Sequence, residues 1–104
     1  MSKELNEMFA EFLQIYKFVN REKIISTLQK ELSDDRYIKI YAMTNGENSV
    51  RDIKDAVGIS IGTISNLWKK WSLLGMVESA GRKGRVKAIF SLAEYGFEDF
   101  VEEW

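Results

Sequence analysis

The apolar residues of this chain change period once, and that change limits what it can fold into. As far as Leu74 they recur at helical spacing, and between Met76 and Phe90 they alternate. Proline is absent, so no helix is interrupted by a residue that lacks an N–H. No internal repeat or evident linker divides the 104 residues. The expected architecture is mainly α with a small β-hairpin (α+β), built as a single domain over residues 1–104.

Residues 3–19 place Leu5, Met8, Phe9, Phe12, Ile15, Tyr16 and Val19 on one stripe at near-heptad spacing. The polar run Asn20-Arg21-Glu22-Lys23 interrupts it, and the stripe resumes out of register at Ile24, Ile25, Leu28 and Leu32. This is either one long helix whose apolar face rotates or two helices meeting near residue 20. A continuous helix would reach about 45 Å, more than a small domain needs for its own core. Residues 1–32 are therefore expected to be a helical dimerisation segment.

Downstream, Ser33 precedes Asp34 and Asp35 and is expected to cap a helix carrying Tyr37, Ile38, Ile40, Tyr41 and Met43, which Asn45-Gly46 ends. Ser49 and Asp52 have capping-box spacing and start a short helix from Val50 to about Val57. Gly58 supplies a turn, Ser60 caps a helix running to about Leu74, and Gly75 stops it. Met76–Ala80 and Arg85–Phe90 then read as two strands joined by Gly81-Arg82-Lys83-Gly84, with Val86, Ala88 and Phe90 on one face. Ser91 and Glu94 repeat the capping-box spacing and predict a last helix over residues 92–104 with Phe97, Phe100, Val101 and Trp104 on its stripe. Phe97, Phe100 and Trp104 are expected to join the dimer contact. The alternative is that the two terminal stripes cover each other within one chain.

Cysteine and histidine are both absent. That removes disulfides, thiolate metal sites and the commonest general base. The carboxylates fall mainly in helix caps and the terminal segment, with no paired constellation for acid–base work. An enzyme is not expected, nor a cofactor, nor a metal site. No apolar run has the length of a membrane span and no signal peptide opens the chain, so the protein is expected to be soluble and cytoplasmic.

The net charge of -1 hides its distribution. Residues 60–90 carry six basic side chains against Glu78 alone, whereas residues 91–104 carry five acidic side chains and no basic one. A localised positive field is what attraction to phosphate requires. Residues 50–69, VRDIKDAVGISIGTISNLWK, have the layout of a helix-turn-helix. Ile53, Val57, Ile59, Ile64 and Leu67 supply the apolar contacts between its helices, and Trp68, Trp71 and Leu74 continue that stripe. The opposite face of the second helix carries Gly62, Thr63, Asn66, Lys69 and Lys70. Asn66 has the chemistry to read an adenine edge, Thr63 to touch a thymine methyl or a phosphate, and Ser60 with the helix N-terminus to hold a phosphate. Arg82, Lys83, Arg85 and Lys87 place further cations on the hairpin, where they can follow the backbone or enter the minor groove.

The segments LSDDRYIKIY, SVRDIKDAVGISIGTISNLWKKWSLLGMVES, the glycine-basic hairpin and SLAEYG, in that order, resemble winged helix-turn-helix transcriptional regulators of the ArsR and MarR types. The resemblance covers about Ser33 to Gly96. It implies a DNA-binding core over residues 33–91 with its wing at 76–90, flanked by an extended N-terminal helix and a C-terminal helix. It also implies a homodimeric regulator of transcription. Lys54 stands where such families often have a small residue, and metal sensing does not carry over to a chain without cysteine or histidine.

The expected function is sequence-specific binding of double-stranded DNA as a homodimeric repressor, with recognition helices in successive major grooves about 34–36 Å apart. The rival is a winged-helix module that contacts protein within a transcription or replication assembly. Whether a small-molecule effector binds is open at this level. The aromatic-rich space near the terminal helices is read as packed core before it is read as a ligand site.

Overall fold

A computed structural model describes residues 3–81 and 83–97 of the chain, as five α-helices, one two-stranded antiparallel sheet and a short 3-10 helix. The described part is thus mainly helical with a small hairpin. It divides into two compact units, residues 1–31 and residues 32–104. No helix among the described residues is long and apolar enough to cross a membrane.

The first unit holds α1 (Lys3–Val19) and α2 (Arg21–Glu31). The helical ladder continues across the junction: Asn20 N–H donates to the Tyr16 carbonyl at 3.0 Å, and Ile24 N–H donates to the Asn20 carbonyl at 2.9 Å. The Asn20 side-chain amide also donates to the Tyr16 carbonyl. This competing local bond is the kind that makes asparagine a poor interior helix residue, and it falls where the apolar stripe changes register. Ile24 and Leu28 of α2 are buried, whereas none of residues 4–19 is.

The second unit contains α3 (Asp35–Met43), α4 (Val50–Val57), α5 (Ile61–Leu73), β1 (Val77–Ser79) and β2 (Val86–Ala88), followed by the 3-10 helix Ala93–Tyr95. The cap of α3 is Asp34, one residue later than expected. Its carboxylate accepts from Arg36 N–H at 2.8 Å and also pairs with the Arg36 guanidinium. Those bonds hold the Asp34 carboxyl below the ordinary carboxylate range and make the aspartate a better cap than the preceding serine. The capping box of Ser49 and Asp52 forms as expected. Gly58 ends α4 at φ 81°, a left-handed conformation that glycine adopts without steric cost. The capping box expected of Ser91 and Glu94 does not form. The 3-10 helix has no side-chain cap and stops at Gly96. Residues 98–104, including Phe100, Val101 and Trp104 of the expected C-terminal helix, lie outside the described residues, and Phe97 is buried.

α5 ends in a Schellman motif: Gly75 N–H donates to the Ser72 carbonyl and Met76 N–H to the Trp71 carbonyl, with Gly75 at φ 77°. The chain is thereby turned directly into β1. Leu74, expected on the buried stripe, is the C-cap instead and stands 47% exposed. Ile53, Ile64 and Trp71 are fully buried, as the helical stripe predicts, and Trp68 nearly so.

Two residues at the C-terminal end of α3, Tyr41 in its last turn and Thr44 at its C-cap, tie the sheet to the helices. The Tyr41 hydroxyl donates to the Met76 carbonyl at 2.7 Å and accepts from Phe90 N–H at 3.2 Å, so it bridges the two ends of the hairpin. Its ring meets Trp71 edge-on at 5.4 Å. The Thr44 hydroxyl donates to the Ile40 carbonyl and accepts from the Trp68 indole N–H at 3.0 Å, while the Thr44 carbonyl accepts from Ala88 N–H at 2.8 Å. By contrast, the indole N–H of Trp71 meets no acceptor among the described residues, so Trp71 contributes volume and Trp68 contributes a link.

Burial pushes the Tyr41 phenol up to about 12. The neutral form is favoured by folding, so the stability it contributes is whole below about pH 10, the unfolded value, and is lost as pH rises through about 12. Tyr41→Phe leaves the Met76 carbonyl and the Phe90 N–H without this partner and is expected to cost about 1–3 kcal/mol in urea denaturation at neutral pH. Across that alkaline window the stability of the wild-type chain should fall more steeply than that of the variant.

Candidate nucleic-acid interface

Every described residue expected to contact DNA lies in the second unit, on α5 or on the hairpin that follows it. Ile64, Trp68 and Trp71 point one side of α5 into the core, which leaves the other side outward. Gly62, Asn66, Lys69 and Lys70 are exposed on it, and Thr63 is half-buried. A Cβ built on Gly62 meets nothing within 4 Å. Among the described residues nothing therefore requires a glycine there, although one in a helix costs about 1 kcal/mol relative to alanine.

At the start of α5 the Ser60 hydroxyl accepts from Thr63 N–H at 3.2 Å and donates to the Thr63 hydroxyl at 2.9 Å. The two hydroxyls expected to make separate DNA contacts are thus joined in one cap. Further along, α5 and the hairpin enclose an open groove of about 850 Å³. Lys69 lines it from the helix, Lys83 and Arg85 from the hairpin, and Trp68, Leu73 and Val86 give it an apolar floor and edge. Leu73 is 89% exposed.

Arg85 has a second attachment. Its Nε donates to the Glu47 carbonyl at 3.2 Å. The loop it reaches is ordered by Asn45, whose side-chain oxygen accepts from the N–H groups of Glu47 and Asn48. The same loop pairs with the sheet: Asn45 bridges to Lys87, and Gly46 N–H donates to the Val86 carbonyl at 2.9 Å. β2 therefore lies between β1 and this loop. The dipeptide Asn45-Gly46 signals a turn, but nothing local in it signals pairing with a strand about forty residues away.

Lys87 departs from the group. It is exposed on β2 opposite Glu78, and it lines a separate cavity of about 300 Å³ together with Tyr41, Thr44 and Leu92. Its neighbours Arg85 and Val86 line the groove, whereas Lys87 and Ala88 line this second cavity. The position of Arg82 falls outside the described residues. Lys54, in the first helix of the motif, is exposed. Among the described residues, no group of three or more carboxylates is placed to hold a metal ion.

No family model, curated protein or solved structure matches the chain.

Gly46 sits at φ 88°, and a Cβ there would come within 3.2 Å of the Ala80 side chain. Gly46→Ala is expected to cost about 1–2 kcal/mol for the left-handed backbone alone. Its local mark should be faster amide hydrogen exchange at residues 86–88, with exchange in α4 unchanged.

Proposed function

We propose that residues 32–97 are a winged helix-turn-helix that binds double-stranded DNA, and that the protein is a cytoplasmic transcriptional regulator acting as a homodimer, as a repressor where its site overlaps a promoter. The observation that carries this reading is the shared groove. Lys69 on α5 and Lys83 and Arg85 on the hairpin line one opening, beside an outward helix face whose first turn is left low by Gly62.

In this reading α4 and the turn at Gly58 brace α5, which enters the major groove by its N-terminal half. Gly62 lets the helix backbone approach the base edges. Asn66 offers a donor and an acceptor to an adenine. Lys69 and Lys83 neutralise phosphates on the flanking strand. Arg85 holds the hairpin to the 45–48 loop through the Glu47 carbonyl, with Nη1 on the Gly84 carbonyl, and offers its remaining N–H groups to the backbone.

A second reading has one observation in its favour. Leu73 and Leu74 at the end of α5 are 89% and 47% exposed, as an apolar protein partner would require. A protein-contact module would depend on them and not on the lysines.

Fluorescence anisotropy on duplex DNA separates the two. Lys69→Ala combined with Lys83→Ala should weaken binding to all sequences and reduce the slope of log affinity against log salt by about 0.9 for each phosphate that is no longer neutralised. Asn66→Ala should relax preference at one base pair, at a cost of about 1–3 kcal/mol for the matched site. Gly62→Leu should leave the thermal unfolding temperature at or above the wild-type value and still abolish specific binding. Wild-type affinity in the double lysine variant would end the DNA reading, and failure of Leu73→Ser to hold a protein partner that the wild type retains would favour the second.

A further inference from the structure

The side of α5 that faces the hairpin is not the side proposed to read base pairs. Ser65, Trp68, Lys69 and Ser72 line the groove between the two elements, and their spacing puts them on one helical face. Gly62, Thr63 and Asn66 do not line it. Lys69 follows Ser65 by four residues and Asn66 by three, so it stands where the two rows meet. The groove is thus a surface of its own, joined to the proposed DNA face through a shared lysine.

Its chemistry is mixed in a specific way. Cations come from both walls, Lys69 from the helix and Lys83 and Arg85 from the hairpin, and no carboxylate lines it. Neither lysine is ion-paired among the described residues. The floor is carbon. The one polar atom of the Trp68 indole is committed to the Thr44 hydroxyl at 3.0 Å, so what the ring has left to offer is its apolar surface. Leu73 and Val86 extend that surface, the first of them 89% exposed. Ser65 and Ser72 add hydroxyls, and Ser79, whose oxygen accepts from Gly81 N–H at 3.4 Å, keeps its own proton to donate.

The walls are also fixed in advance. Thr44 pins Trp68, the Glu47 and Gly84 carbonyls hold Arg85, and Tyr41 clamps the ends of the hairpin. At about 850 Å³, the groove falls within the roughly 300–1,000 Å³ of sites that take small molecules, which are mostly apolar with a few placed polar groups. A site already in shape loses little affinity to ordering.

We infer that this groove binds a small apolar carboxylate, its hydrocarbon on Trp68, Leu73 and Val86 and its charge on Lys69 and Lys83. A wholly polar anion would leave Leu73 in water, and a neutral apolar molecule would leave the lysines unmet. With Lys69 and Lys83 held by the carboxylate, neither is left for a phosphate, so ligand and duplex exclude one another. That last step rests on the DNA reading above; the site itself does not.

Amide NMR of the isotope-labelled full-length chain locates the site. Decanoate, kept below its micellar concentration, should shift the amides of Ser65, Ser72, Ser79 and Gly84 saturably and leave those of α2 in place. Decanol should bind at the same amides at least about tenfold more weakly, the difference that a hydrogen bond to a charged group makes. Lys69→Ala combined with Lys83→Ala should bring decanoate down to the affinity of decanol. Leu73→Ser, outside the core, should weaken both. In anisotropy, saturating decanoate should release bound duplex.

Shifts confined to α1 would overturn the assignment, as would equal binding of decanol or a groove that answers to polyglutamate and not to decanoate. A chain that binds duplex while decanoate leaves the groove amides unmoved would sink this inference alone. Decanoate seated in the groove of a chain that binds no duplex would sink the DNA reading alone. Decanoate seated there with duplex affinity unchanged would overturn the competition between them.

Discussion

The second unit depends on how the last turn of α3 grips the hairpin. A two-stranded ribbon is at best marginally stable by itself in water, and β1 and β2 pair over only three residues each. Tyr41 and Thr44 supply what the ribbon lacks. One hydroxyl closes the two ends of the hairpin through Met76 and Phe90, and the other residue ties β2 to α5 through Ala88 and Trp68. Both are buried, at 1% exposure each, so their hydrogen bonds are made where unpaired groups are costly. The position of the hairpin relative to α5 is therefore set from beneath, by α3, and not by contacts at its tip. Arg85 is the hairpin cation that is tied back, through Nε to the Glu47 carbonyl and Nη1 to the Gly84 carbonyl.

What was legible in the sequence and what was not divides along the range of the interactions. Caps and glycine stops are local: the Ser49–Asp52 box, the turn at Gly58, the Ser60 cap and the Gly75 stop all follow from residues within a few positions of one another. Where local signals compete, the backbone decides. Ser33 and Asp34 are both good caps, and the extended conformation at Asp34, with its bonds to Arg36, selects the aspartate. Ser91 and Glu94 have the right spacing, but the left-handed Gly96 ends the turn after three residues. The bridge from Asn45 to Lys87 was not legible, because a single non-local pair has no period to announce it. Nor was the Tyr41 clamp, since a tyrosine on an apolar stripe reads as ring first and hydroxyl second.

The interface residues show the same division. That Lys69 and the hairpin cations belong together was inferred from charge in neighbouring segments, and the groove brings Lys69, Lys83 and Arg85 to one opening. Lys87 is basic and nearby in sequence, but it lines the separate cavity with Tyr41 and Thr44. In the sequence Arg85 reads as a surface cation, and its bond to the Glu47 carbonyl depends on a loop whose approach to β2 only the fold reveals. Phe97 follows the left-handed Gly96, donates its N–H to the Leu92 carbonyl and is buried, unlike the exposed stripe expected of it.

The mixed lining of the groove bears on what it would accept. A purely cationic slot attracts any polyanion, and its affinity reports little beyond charge and salt. Here Leu73, Val86 and Trp68 share the groove with Lys69, Lys83 and Arg85. An occupant that meets the cations only through a solvated phosphate would leave Leu73 in water, whereas one that also lays an apolar surface against it removes that exposure. A duplex offers both, through phosphate oxygens and through sugar and thymine methyl carbons. An acidic peptide offers both as well, but it makes no demand for the low first turn that Gly62 leaves on α5. The glycine has no packing reason among the described residues, and a partner whose surface came close to the helix backbone would supply one. On that ground Gly62, more than the count of positive charges, favours a partner read by the helix face itself over one held only at the groove.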